Sequence, residues 1–151
     1  MGAKNMNYEI VTLEKKTVVG VSAVTGNQDP KMSSIIGGLW EKLYQGGVYP
    51  TIKNKMNEYA IGLYSDYVKD TYLVTVGTEV SLADNVELTT KVIPAGKYAK
   101  FMLEGNMETI VSETWGEIWQ ENLERTFTGD FEEYLNSDST HAKIAIYIAI
   151  K

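Results

Sequence analysis

The sequence predicts an α+β domain in which one strand-helix-strand-strand unit occurs twice and two main helices lie on one face of an antiparallel sheet. Three observations predict it. Two stretches carry apolar and aromatic residues at helical spacing, and around them lie runs rich in Val, Ile and Thr whose polarity alternates. The order of these elements repeats along the chain. Each helix has one apolar stripe and the strands alternate, so both helices should cover the same side of the sheet.

The first unit begins with Tyr8 to Val24, where Val19, Val21 and Ala23 alternate, which predicts one or two strands ending at Gly26. Asp29 and Pro30 then offer an N-cap and a first-turn proline. Met32, Ile36, Leu39, Trp40, Leu43 and Tyr44 recur at helical spacing until Gly46 and Gly47 stop the run. Gly37 and Gly38 fall inside this helix, where each glycine costs about 1 kcal/mol relative to alanine; they either break it or let a ligand or strand come close. Tyr49 to Asn57 is irregular. Tyr59 to Tyr64 and Tyr72 to Val80 predict a hairpin joined across Asp66 to Asp70.

The second unit opens with strands at Glu87 to Ile93 and Tyr98 to Leu103, separated by a turn at Pro94-Ala95-Gly96-Lys97. Asn106 caps the second helix, whose apolar face is Ile110, Val111, Trp115, Ile118, Trp119 and Leu123, with Glu108 at the positive end of its dipole. Phe131 to Leu135 and Lys143 to Ile150 close the unit. The last run places Ile144, Ile146, Ile148 and Ile150 on one face and Ala145, Tyr147 and Ala149 on the other, as in a central strand. The helices align as Trp40-Glu-Lys-Leu-Tyr-Gln45 on Trp115-Gly-Glu-Ile-Trp-Gln120, and downstream Gly62-Leu-Tyr64 aligns on Glu132-Glu-Tyr134. The chain is therefore one domain, 1–151, with pseudo-repeats over about 8–80 and 86–151.

Composition narrows the function. With 44% hydrophobic and 23% charged residues, 151 residues are enough for one substantial core, and neither disorder nor a fibrous class fits. The net charge of −6 works against a grip on phosphate backbones, which needs clustered Lys and Arg, so direct nucleic-acid binding is not expected. There is no cysteine and only one histidine, His141, read as a loop residue, so no metal site is expected. Nothing resembles a signal peptide or a membrane span of about 20 apolar residues, and the expected location is cytoplasmic. No P-loop, dinucleotide fingerprint or nucleophile-elbow motif occurs, so no cofactor is expected. Glu113, Glu117 and Glu121 fall four apart and form a solvated helix face.

The Ile93-Pro94-Ala95-Gly96-Lys97-Tyr98-Ala99 segment, the helix with Trp115-Gly-Glu-Ile-Trp119, the motif Phe131-Glu132-Glu133-Tyr134 and the strand Ile144 to Ile150 together resemble GyrI-like proteins. That family shares the effector-binding domain of AraC-type regulators and of the multidrug-sensing regulator BmrR. The resemblance covers nearly the whole chain. It implies two units packed pseudo-symmetrically on an antiparallel sheet, a ligand groove between the helices, and a groove-facing glutamate at Glu132. No helix-turn-helix region is present, so it implies a stand-alone module that senses or sequesters a drug or effector rather than direct transcriptional control.

The residue chemistry agrees. A carboxylate among aromatic rings can recognise an organic cation, because ring faces attract positive charge by about 0.5–2 kcal/mol each. Glu132 is the candidate carboxylate. Tyr64, Tyr134, Trp40, Tyr44, Trp115, Trp119, Tyr98 and Tyr147 are the candidate pocket residues for an amphipathic, cationic small molecule. Structural roles compete with this reading: a solvated strand-end carboxylate for Glu132, core packing for Trp40 and Trp115, and half-buried strand positions for Tyr64, Tyr98, Tyr134 and Tyr147. Two alternatives come from the resemblance. One is a small hydrolase acting on electrophilic compounds, with Glu132 as general base and Tyr64 or Tyr134 orienting substrate. The other is a modulator that contacts DNA gyrase.

Overall fold

The computed structural model describes residues 8–151, so the sequence reading of residues 1–7 lies outside the described residues. In chain order the elements are β1 (Glu9–Leu13), β2 (Lys16–Gly26), α1 (Met32–Tyr44), a 3₁₀ turn (Tyr49–Thr51), β3 (Ala60–Val68), β4 (Thr71–Val80), β5 (Thr89–Ile93), β6 (Gly96–Gly105), α2 (Met107–Ile118), β7 (Asp130–Tyr134) and β8 (Ala142–Ile150). The fold is α+β with one eight-stranded sheet in the order β1-β6-β8-β7-β3-β4-β2-β5, and every neighbouring pair is antiparallel.

The order reads alike in both directions from the central β7–β3 pair: β8, β6, β1 one way and β4, β2, β5 the other. Each outermost strand comes from the other unit. The strands on either side of Pro94 therefore do not pair with each other; β5 joins β2, and β6 lies between β1 and β8. Only Glu14 and Lys15 separate β1 from β2, although these strands lie towards opposite ends of the sheet. The sheet must curl to allow this. Val11 and Leu13 of β1 accordingly pack on the same cluster as Val18 of β2 and Ile93 of β5.

Strand alternation assigns the two faces. On one face Val18, Ile61, Leu63, Tyr98, Phe131, Tyr147 and their neighbours form a core in which Phe131 stacks on Tyr147 at 4.4 Å. The other face carries both helices. Leu39 and Leu43 of α1 pack on Val19, Val74 and Val76, and Ile118 of α2 packs on Phe101, Ile144, Ile146 and Ile148. Fully burying one such side chain stabilises by about 1.5–3 kcal/mol, so these stripes fix both helices to one side.

Local details differ from the sequence reading at both helices. Asp29 does not cap α1: the cap position is Lys31, whose side chain makes no cap bond. Instead the Asp29 carboxylate accepts from the Lys31 backbone N–H at 2.8 Å and the Thr25 hydroxyl at 2.9 Å, closing a turn just ahead of the helix. Asn106 does cap α2, accepting from the Glu108 N–H at 3.0 Å. The second helix stops at Ile118, so Trp119 is its C-cap and Leu123 reaches the core from the following loop. Gly37 and Gly38 leave α1 unbroken.

Candidate functional site

Between α1, α2 and the sheet lies a cavity of about 1350 Å³, larger than the roughly 300–1,000 Å³ usual for a drug-sized ligand. The two helices line it with matching residues: Met32 and Met107, Ile36 and Val111, Gly37 and Ser112, Trp40 and Trp115, Tyr44 and Trp119. The strands do the same with Tyr64 and Tyr134, which come from β3 and β7 at the centre of the sheet.

Glu132 sits at that centre and is 2% exposed, so the solvated reading of it is wrong. Alternation on β7 turns it to the helix side while Phe131 enters the opposite core. Three donors meet its carboxylate. The Trp115 indole N–H donates to Oε2 at 2.7 Å, the Tyr64 hydroxyl donates to Oε2 at 3.1 Å, and the Tyr134 hydroxyl donates to Oε1 at 2.7 Å. Burial pushes the Glu132 carboxyl above the ordinary carboxylate value, and the bonds from Tyr134, Trp115 and Tyr64 oppose that rise by favouring the charged form. Burial first, and then the nearby Glu132 charge, hold Tyr64 and Tyr134 well above the usual phenol value, so both stay protonated as donors.

Gly62 faces Glu132 across the β3–β7 pair. A Cβ there would lie 3.2 Å from Glu132 Oε1 and 3.5 Å from the Trp40 ring. The absence of a side chain on β3 thus makes room for the single carboxylate contributed by β7.

The aromatic wall is continuous. Trp40 meets Tyr134 edge-on at 4.9 Å and stacks beside Tyr44 at 6.3 Å, while Trp115 meets Tyr64 edge-on at 5.5 Å. Trp40 and Trp115 also pack against the cores beneath their helices, so packing and cavity roles coincide in them. Trp119 is 57% exposed and forms part of the lip. Tyr98 and Tyr147 are not part of this site. Both lie in the core on the opposite face, where Tyr98 donates to the Pro94 carbonyl and Tyr147 stacks on Phe131. The reason is strand parity: Tyr147 shares its face with Ala145 and Ala149, and it is the isoleucine face of β8 that meets α2.

Several lining residues were not anticipated from the sequence. Tyr67 and Tyr72 flank the β3–β4 turn, and Arg125 and Phe127 come from the loop after α2. Tyr67 lies within an irregularity between Ser65 and Val68, with Asp66 at φ 52°, which resets the alternation and brings Tyr67 to the face of Tyr64. A period-two reading places it on the other side. Tyr67 donates at 2.6 Å to Asp130, which is fully buried and also accepts from Arg125 at 2.7 Å and from the Ala149 N–H at 2.8 Å. Among the described residues no cluster of His, Cys, Asp or Glu could hold a metal ion, and His141 is exposed beside Asp138.

Gly37 lines the cavity and Gly38 does not, and a Cβ at either meets nothing within 4 Å. Gly38→Ala is therefore expected to stabilise the protein by about 0.5–1 kcal/mol with ligand affinity unchanged, whereas Gly37→Leu should fill the cavity and weaken binding. Urea denaturation and calorimetry read the two effects separately; a Gly38→Ala protein less stable than wild type contradicts the helix geometry.

This architecture defines an effector-binding α+β fold with a ligand-sized cavity at the junction of its two units. The chain belongs to the family of integron-associated effector-binding proteins, whose family model matches residues 9–150. It is 34% identical to the Bacillus subtilis candidate transcriptional regulator YobU over 97% of this chain and 99% of that protein. Among solved structures, the Vibrio cholerae integron cassette protein VCH_CASS2 superposes with a TM-score of 0.78 at 26% identity, covering 95% of each chain. SAV2435, solved with tetraphenylphosphonium bound, superposes with a TM-score of 0.79 at 22% identity, covering 97% of this chain and 94% of that one. Among the described residues no helix is long and apolar enough to cross a membrane.

Proposed function

We propose that the chain is an effector-binding module that senses or sequesters amphipathic organic cations, with Glu132 as the charge-recognising group and Tyr64, Tyr134, Trp40, Trp115, Tyr44 and Trp119 as the ring surfaces around it. The observation that carries this reading is the buried Glu132 carboxylate, held by three donors in the floor of a large aromatic cavity. Among the described residues no Lys, Arg or His pairs with it, and a buried carboxylate of that kind is stabilised by a cation that fills the space above it. The tetraphenylphosphonium bound to SAV2435 supports the same class of ligand. The net charge of −6 favours cations over nucleic acid as partners.

Titration with tetraphenylphosphonium tests the proposal. Binding should quench tryptophan emission, since two of the three tryptophans, Trp40 and Trp115, border the carboxylate and Trp119 borders the lip. It should also raise the melting temperature. A panel of lipophilic cations that does neither sinks the reading.

Binding should depend on pH. The free protein's Glu132 carboxyl titrates above the ordinary 4.5, and a bound cation lowers it again by favouring the ionised form. Affinity for a permanently charged cation should therefore weaken as pH falls through the free protein's Glu132 pKa, where binding requires loss of a proton. A neutral ligand of the same shape should show little of this slope. Calorimetry across the acidic range checks it, and a flat profile for the cation, with the protein still folded, removes Glu132 from the recognition site.

A further inference from the structure

The two ends of the cavity are chemically unequal. The chain leaves Tyr64 along β3 in one direction and leaves Tyr134 along the antiparallel β7 in the other, so the residues after the two tyrosines lie at opposite ends of the cavity. Beyond Tyr64 stand the rings of Tyr67 and Tyr72, with Asn27, Gln28, Lys69 and Asp70 at the rim; at the matching places beyond Tyr134 stand Ser137 and Ala142, with no ring. The Tyr67 end is also walled by Phe127, 5.6 Å edge-on from Tyr67, whereas among the described residues the segment between α1 and β3 supplies no equivalent wall at the other end.

Phe127 is placed at a cost. Its φ is 56°, a conformation uncommon for a bulky side chain, and the residue is 51% exposed. The Arg125 guanidinium lies over that ring at 4.3 Å and is itself fixed by Asp130. An exposed aromatic ring held in a strained backbone against a cavity is the mark of a ligand wall rather than of a core. At the other end, Ser137 and Ser139 line the cavity, and their exposed hydroxyls have no protein partner among the described residues. The Ser139 carbonyl, by contrast, is fixed by the Met107 N–H at 2.8 Å, which ties this loop to the start of α2.

Resting on the cation-binding reading above, we infer that the ligand binds in one orientation, as a two-ended amphiphile: a flat aromatic system against Tyr67, Tyr72 and Phe127, the cationic centre over Glu132, and a hydrogen-bonding group at Ser137 and Ser139. The ligand class is thus an aryl cation bearing a hydroxyl, ether or carbonyl on the side away from its ring. Phe127, Ser137 and Ser139 are the residues that set this preference.

Three probes separate the ends: bromonaphthylmethyl-trimethylammonium, its analogue with one methyl replaced by hydroxypropyl, and cyclohexylmethyl-trimethylammonium. The hydroxypropyl compound should bind wild type about fivefold more tightly than its parent, the worth of one neutral hydrogen bond. The double variant Ser137→Ala, Ser139→Ala should abolish that advantage and leave the parent's affinity unchanged. Phe127→Ala should weaken both naphthyl compounds about fivefold and the cyclohexyl compound little, because it removes an aromatic contact. All three residues are exposed, so these variants should fold as wild type does. In a crystal of the complex the bromine should lie at the Tyr67 and Phe127 end of the cavity, against those rings. Bromine beside Ser137, or a double serine variant that weakens all probes alike or leaves the hydroxyl advantage intact, overturns the orientation while leaving cation binding standing. If none of the three cations binds wild type, the cation reading itself falls and the orientation with it.

Discussion

Replacing Glu132 with glutamine is expected to reduce affinity for tetraphenylphosphonium by at least about 30-fold, since removing one partner of a buried charge pair costs about 2–5 kcal/mol. The loss has two sources. The cation no longer meets a negative charge in a cavity where water does not screen it. The glutamine amide also presents its NH2 to a ring of donors, where the Trp115 N–H and the Tyr64 and Tyr134 hydroxyls all point at Glu132 oxygens, so at least one donor is left without an acceptor. Calorimetry at neutral pH checks it, and an affinity within threefold of wild type would falsify the assignment of Glu132. The ligand-free variant carries a second signature. Because the folded Glu132 carboxyl titrates above its unfolded value of about 4.5, the folded state holds its proton longer. Stability of the free wild-type protein therefore falls as pH rises from the unfolded value through the folded one, and the glutamine variant should lack that contribution.

Replacing Trp115 with alanine should cost about 3 kcal/mol, the low end for truncating a packed large ring, against under about 1 kcal/mol for Trp119→Ala. Trp115 packs on the core beneath α2 with Val111 and donates 2.7 Å to Glu132, whereas Trp119 lies past the helix end and is 57% exposed. For a domain of this size the difference corresponds to roughly 4–8 °C in melting temperature. Trp115→Phe should fall between, keeping much of the ring packing but losing the indole N–H. Chemical denaturation decides the matter: equal losses for Trp115→Ala and Trp119→Ala contradict the separation of wall and lip.

Residue spacing alone was enough for the elements and for both helices sharing one side of the sheet, but not for which face that is. Helical spacing of Leu39, Leu43 and Ile118 and alternation along the last strand require one buried stripe per helix and two distinct sheet faces, because covalent geometry alone sets the periods of 3.6 and 2. The match of Trp40 with Trp115 and of Tyr64 with Tyr134 carried the duplication and the centre of the cavity. Glu132 was legible only through the family resemblance, which implies a groove-facing glutamate there, since the repeat sets Gly62 opposite it. Tertiary structure decided what sequence separation and local irregularity conceal. Strand pairing sent β5 and β6 to different neighbours, because each unit lends its outermost strand to the other and a pairing partner is not encoded in a strand's own polarity. Parity excluded Tyr98 and Tyr147, since nothing local says which of two apolar faces receives the helices. The irregularity at Asp66 brought in Tyr67, and an aperiodic loop brought in Arg125 and Phe127. Gly62, unremarkable in the sequence, gained its meaning only when folding set it opposite Glu132, where a Cβ would crowd the carboxylate at 3.2 Å.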